Sequence, residues 1–134
     1  MGNGKPRVLL VEDEPAIIKT VQKYLEVAGF NVLLAMDGQD GLAKAQTGRP
    51  DAIVLDLMLP WVSGFEVCSS LKKDPRCQHI PIVIYSGKGQ PDDVQRCREL
   101  GADAYISKEQ GAQALIAQLK TLLNRNAPKT DTKV

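Results

Sequence analysis

The chain has 134 residues, 43% hydrophobic and 25% charged, enough for one domain with a single substantial core. A formal net charge of +1 gives no basic footprint for nucleic acid, and no apolar run reaches the roughly 20 residues of a membrane span. Three cysteines without close spacing argue against a disulfide framework and a zinc site, and point to a reducing, cytoplasmic compartment. Cys68 and Cys97 fall on apolar helix sides and are expected to be buried, whereas Cys77 lies in a polar loop as an expected exposed thiol. The basic cluster of Lys72, Lys73 and Arg76 reads as a solvated helix end.

Residues 7–11 read as a buried strand. Pro15 suits the first turn of a helix whose stripe is Ile17, Ile18, Val21, Leu25 and Ala28, and Gly29 stops it. Residues 31–35 form a second predicted strand, and 39–46 a short helix ended by Thr47-Gly48-Arg49-Pro50. A third strand over 52–55 contains no polar residue. A helix over 64–73 closes at Asp74-Pro75, and a fourth strand spans 80–85 with Pro81 confined to its start. Residues 91–100 read as a helix capped by Gly101, and 104–106 as a fifth strand. The last helix covers 110–124, with Leu115, Ile116, Leu119, Leu122 and Leu123 inward.

This alternation predicts an α/β fold: a doubly wound five-stranded parallel sheet of order 2-1-3-4-5, flanked by five helices in flavodoxin-like topology. Residues 6–124 form the expected domain, with a flexible start at 1–5 and a disordered polar tail at 125–134.

Such sheets bind ligands beyond the carboxyl ends of their strands. Glu12, Asp13 and Glu14 follow the first strand, Asp56 the third, Ser86 the fourth and Lys108 the fifth. The first and third strands are neighbours in this order, which brings Glu12, Asp13 and Asp56 together. Crowded carboxylates repel one another, and a divalent cation relieves the repulsion. An all-oxygen ligand set favours Mg²⁺ or Mn²⁺ over zinc. A carboxylate can also take up a phosphoryl group, whose spread negative charge calls for cations and donors. The metal, the Lys108 ammonium and the Ser86 hydroxyl would supply them.

Four segments, V-E-D-E at 11–14, D-L-M-L-P-W-V-S-G at 56–64, Y-S-G at 85–87 and Y-I-S-K at 105–108, stand in order at predicted strand ends. Together they resemble the signature of response-regulator receivers, the CheY-like family of two-component signalling, over residues 7–124. The resemblance implies that Asp56 accepts a phosphoryl group from a histidine kinase or histidine phosphotransfer protein. It further implies that Asp13, Asp56 and the backbone carbonyl of Met58 ligate Mg²⁺, with Mn²⁺ able to substitute, while Glu12 acts through a metal-bound water. Lys108 would contact the phosphoryl group, Ser86 would hydrogen-bond it in the active state, and Tyr105 would be the switch aromatic that turns inward. Small Gly87 would leave the phosphoryl group accessible. Such a domain catalyses only its own phosphorylation and dephosphorylation. One departure is Glu109, where the family usually has proline after the lysine. A cis bond before a non-proline residue costs roughly 2.5–4 kcal/mol, so Lys108–Glu109 is expected to be trans.

Taken singly, these residues have plainer readings: Asp56 as a turn former, Asp13 as a helix cap, Ser86 as a turn hydroxyl, Tyr105 as a half-buried strand residue, Lys108 as a surface charge. Their coincidence outweighs those readings. His79 precedes the fourth strand, away from the carboxyl ends, and has no expected catalytic role. A flavodoxin-like carrier needs a first loop rich in Ser, Thr and Gly, whereas Glu12-Asp13-Glu14 repels phosphate without a metal. A phosphoaspartate hydrolase of the haloacid type needs a second Asp two residues after the first, and Pro15 stands there. An unphosphorylated pseudo-receiver would lack the acceptor, the acidic pair or the lysine. Nothing after residue 124 reads as an output domain, so signalling is expected through the domain's own surface, to a downstream protein or a second copy, without direct contact to nucleic acid or membrane. The expected output face combines the 91–100 helix, the 104–106 strand and the last helix.

Overall fold

The computed structural model describes residues 4–87 and 89–125. Five strands, β1 (Arg7–Val11), β2 (Asn31–Ala35), β3 (Ala52–Leu55), β4 (Ile82–Ser86) and β5 (Ala104–Ser107), alternate with five helices. These are α1 (Pro15–Val27), α2 (Gly38–Gly48), α3 (Gly64–Lys73), α4 (Pro91–Glu99) and α5 (Ala112–Arg125). All pairings are parallel and the order is β2-β1-β3-β4-β5, as the sequence predicts. The flexible start expected at 1–5 and the tail at 125–134 lie largely outside the described residues. Among the described residues, no helix is long and apolar enough to cross a membrane.

The central strands are apolar at successive positions because each face of the sheet is covered. Leu9, Val11, Ile53, Leu55, Ile82 and Ile84 pack toward Val67, Cys68 and Leu71 of α3 and Cys97 of α4. Val8, Leu10, Val54, Val83 and Tyr85 pack toward Val21 and Leu25 of α1 and Leu115 and Leu119 of α5. Val11 stands opposite Leu55 in the β1–β3 ladder, so the next residue of each strand, Glu12 and Asp56, leaves the sheet beside the other.

Several boundaries differ from expectation for local reasons. α2 begins at Gly38 because Asp37 accepts the Asp40 N–H at 2.8 Å, and it runs on to Gly48, where Arg49 at φ 49° ends it. β4 begins at Ile82 rather than 80, since Ile80 N–H closes a turn onto Cys77 O at 2.9 Å. It extends to Ser86, which stands opposite Ser107 at the end of β5. α5 starts at Ala112, not 110, because Lys108–Gln110 forms a 3₁₀ turn. The Gln110 side chain accepts the Ser107 N–H at 2.8 Å, and Gly111 at φ 90° breaks the chain direction before the helix.

Two side-chain expectations fail. Cys77 is fully buried, not exposed: its N–H bonds Asp74 O at 2.9 Å, and the turn carries the thiol into the core beside Leu71 and Ile80. Lys72 is not a solvated charge. Its ammonium donates to Gln78 O at 3.3 Å, Ile80 O at 2.9 Å and Asp103 Oδ2 at 3.3 Å, tying the end of α3 to the approaches of β4 and β5. Cys68 and Cys97 are buried as expected, and burial pushes each thiol up to about 11.

Candidate functional site

The site begins where β1 and β3 end. Glu12 N–H bonds Ala35 O at 2.9 Å and Asp56 N–H bonds Val11 O at 3.1 Å, so the sheet ladder itself sets both backbones. Carboxylate oxygens of Glu12, Asp13 and Asp56 lie within 4.8 Å of one another. Glu12 is 1% exposed and Asp56 4%, while Asp13 stands on the open side.

Lys108 reaches over from the end of β5. Its ammonium lies 3.0 Å from Glu12 Oε1 and 3.1 Å from Asp56 Oδ2. Ser86 Oγ donates to Asp56 Oδ1 at 2.7 Å and accepts the Leu57 N–H at 3.3 Å, and Met58 N–H donates to the same Oδ1 at 3.2 Å. The second oxygen of Glu12 accepts the Glu14 N–H at 3.1 Å. Burial holds the Glu12 carboxyl above its ordinary range, and the neighbouring Asp56 charge adds to this while Lys108 opposes it. Burial works against the Lys108 ammonium, but the two carboxylates outweigh it and hold Lys108 above its ordinary value.

Three carboxylates and one ammonium leave two formal negative charges in a small space. Hard oxygen donors with that excess fit a small divalent cation. Both Glu12 oxygens are engaged with protein donors, whereas the Asp13 carboxylate has no hydrogen bond or ion pair among the described residues. Asp56, like Glu12, has both oxygens engaged, so Asp13 offers the carboxylate most open to a cation.

The family model for the response regulator receiver domain matches residues 8–120. The chain belongs to this family. The receiver domain is 42% identical over 120 residues to the DNA-binding dual master transcriptional regulator RpaA of Synechocystis, a match covering 90% of this chain and 50% of that protein. It is 38% identical over 130 residues to the alkaline phosphatase synthesis transcriptional regulatory protein PhoP of Bacillus subtilis, covering 95% and 53%. The chain thus spans about half the length of the curated relatives it matches. Among solved structures, the receiver domain of Francisella response regulator 1452 superposes with a TM-score of 0.85 at 26% identity, covering 91% of this chain and 99% of that one. Chemotaxis response regulator CheY4 of Vibrio cholerae gives 0.82 at 30%, covering 88% and 98%.

In this receiver domain Asp56, Glu12, Asp13, Ser86 and Lys108 converge as the sequence predicts. The Lys108–Glu109 bond is trans, since the described residues contain no cis peptide. Tyr105 is half-buried against the α3–α4 side of the core and, with Val94, Cys97 and Ala104, lines a small cavity. A side chain on Gly87 would meet nothing within 4 Å, so that flank of the opening is clear. His79 is exposed at the far end of the sheet. Asp13 does not cap α1: Glu14 is the N-cap residue, without a side-chain cap bond.

Three local features escape the sequence reading. Ser63 and Glu66 form a reciprocal capping box at the start of α3, legible in S-x-x-E but overlooked. A Cβ on Gly64 would overlap the Asp56 carbonyl oxygen and approach Leu57 Cα to 2.6 Å, so only glycine lets α3 sit this close to Asp56. Trp61 sits at φ 65° in a γ-turn closed by Val62 N–H on Pro60 O at 2.8 Å, a conformation strained by about 1–3 kcal/mol.

Proposed function

We propose that this receiver domain is a phosphorylation-activated signalling switch whose phosphoacceptor is Asp56. The observation that carries the reading is the double grip on that carboxylate, by Lys108 at 3.1 Å on one oxygen and Ser86 at 2.7 Å on the other, beside a cation-binding cluster. An Asp56 oxygen attacks the phosphorus of a phosphohistidine, on a histidine kinase or histidine phosphotransfer protein. The P–N bond breaks, and the imidazole nitrogen keeps the electron pair and takes a proton from solvent. Lys108 and Ser86 are placed to receive charge developing on the phosphoryl oxygens. Mg²⁺, or Mn²⁺ in its place, would be held by Asp13, Asp56 and the Met58 carbonyl, with Glu12 acting through water; it supplies charge neutralisation. Hydrolysis of the acyl phosphate by water restores Asp56, so the covalent chemistry is confined to the domain itself.

The message passes to α4, β5 and α5. Ser86 and Tyr105 lie at the base of that face, and a change at Ser86 shifts the packing of the half-buried Tyr105 ring against Cys97 and Val94. A downstream protein or a second copy reads it. A cytoplasmic setting agrees with three buried free thiols.

Intact mass after treatment with acetyl phosphate and Mg²⁺ tests the assignment. Wild type gains one phosphoryl group and Asp56→Asn none; equal labelling of Asp56→Asn would remove Asp56 as acceptor. Beryllofluoride with Mg²⁺ is then expected to shift backbone NMR signals through α4 and β5, and shifts confined to the pocket would reject the output face.

A further inference from the structure

Among the described residues, three of the exposed large apolar side chains, Met36, Met58 and Trp61, occupy loops that follow β2 and β3, at the edge of the sheet that carries Asp56. Trp61 is the extreme case. Its indole is 87% exposed while its backbone holds φ 65° at the centre of a γ-turn. Such a conformation favours glycine, and a bulky side chain there gains no burial to offset it. Nor is the loop slack. Met58 N–H is fixed on Asp56, Gly64 N–H on Leu57 O at 2.9 Å, and Ser63 caps α3. The fold thus holds a large apolar ring out into solvent in a set place beside its reactive carboxylate, where exposed Trp and Met mark contact surfaces.

The pocket underneath identifies the occupant. Asp56 is 4% exposed, so a protein carrying a phosphoryl group must come down over the opening and cover the loops that rim it. A divalent cation would balance the two excess negative charges of the cluster, leaving little long-range attraction to draw a donor in. Apolar area on the rim supplies what charge does not.

We propose that Trp61, on the same end of the sheet as exposed Met58 and Met36, is the apolar anchor for the phosphohistidine-bearing surface of the donor protein, and so a determinant of which donor is accepted. The proposal rests on Asp56 being the acceptor. The occupant it fits is a protein whose phosphohistidine is bordered by apolar side chains; a small donor such as acetyl phosphate reaches Asp56 without touching the indole.

The test compares two donors on wild type and Trp61→Gly, a substitution that suits the positive φ. One donor is acetyl phosphate with Mg²⁺. The other is whichever member of a panel of autophosphorylated histidine-kinase cores labels wild type fastest. Trp61→Gly is expected to slow kinase labelling on the order of tenfold, to leave acetyl phosphate labelling within about twofold, and not to lower the melting temperature. Equal slowing with both donors would overturn the proposal, because Trp61 would then act on the pocket. Unchanged kinase labelling overturns it too, as does wild type that takes phosphoryl from acetyl phosphate but from no kinase. If Trp61→Gly instead abolishes self-association and keeps kinase labelling, the occupant is a second copy. Wild type that acetyl phosphate cannot label would strike the acceptor assignment itself.

Discussion

Ser86 and Asp56 are joined directly: the serine hydroxyl donates to Asp56 Oδ1 at 2.7 Å while accepting the Leu57 N–H at 3.3 Å. The hydroxyl therefore already stands where a phosphoryl oxygen would need a donor.

Ser86→Ala is expected to cost about 1–3 kcal/mol of stability, because it leaves the buried Leu57 N–H and an Asp56 oxygen short of a partner. Urea unfolding reads this directly. Acetyl phosphate labelling should slow as well, while Ser86→Thr, which keeps the hydroxyl, should retain both. A Ser86→Ala variant as stable as wild type would show that Oγ does not bridge these groups in solution.

Lys108→Met removes the cation shared by Glu12 and Asp56, both almost fully buried. Breaking a buried pair from one side costs about 3–5 kcal/mol, so the variant should be clearly destabilised without metal. Mg²⁺ held at the proposed site would bind only the folded state and relieve the same repulsion, so it should raise the melting temperature of Lys108→Met more than that of wild type. Equal Mg²⁺ gains in the two proteins would count against a shared electrostatic cluster.

Metal affinity should depend more on Asp13 than on Glu12. Asp13 has no protein partner among the described residues, whereas both Glu12 oxygens are held by Lys108 and the Glu14 N–H. Outer-sphere losses run to about 10–100-fold, and Asp13→Asn should exceed what Glu12→Gln shows. Calorimetric titration with Mg²⁺ decides the order, and matching losses would contradict it.

The convergence of Glu12 with Asp56 was legible because apolar runs mark where β1 and β3 end, and the parallel order makes those ends neighbours. Lys108 and Ser86 follow from the same logic at β5 and β4. The Glu12–Lys108 pair was not legible, since nothing local tells a carboxylate whether a water or an ammonium will take its oxygen. Cys77 and Lys72 misled because polar neighbours along the chain conceal a turn that folds one inward and wraps carbonyls around the other. The positive φ of Trp61 had no signal either, because the residue type argues against it.

The buried thiols set an alkaline limit. Cys68 and Cys97 ordinarily ionise near 9.0, but burial raises each to about 11 in the folded chain. The unfolded chain loses those protons first. The thiols' contribution is therefore fully present below pH 9.0 and is lost as pH rises toward about 11. Cys97→Ala should start less stable near neutrality yet lose less stability across that window. Parallel pH profiles would reject the assignment. A thiol reagent should spare all three cysteines, Cys77 included, until denaturant is added.

Gly64→Ala tests how closely α3 and Asp56, the proposed acceptor, are joined. The added methyl would overlap the Asp56 carbonyl oxygen and lie 2.6 Å from Leu57 Cα, and neither is a flexible side-chain end that can swing away. The capping box of Ser63 and Glu66 resists any shift of the helix start, so the Asp56 backbone must yield. Overpacking of this kind costs about 1–3 kcal/mol. The functional loss should be larger than the stability loss implies. Displacing Asp56 by a fraction of an ångström moves its two oxygens away from Lys108 and Ser86 together, and misplacement near 1 Å can slow a reaction about 100-fold. Gly87→Ala, where an added methyl meets nothing within 4 Å, is the stability control and should melt like wild type. If Gly64→Ala takes phosphoryl from acetyl phosphate at the wild-type rate, then the approach of α3 to Asp56 is looser in solution than this packing requires, and the geometry of the acceptor is set by the sheet ladder alone.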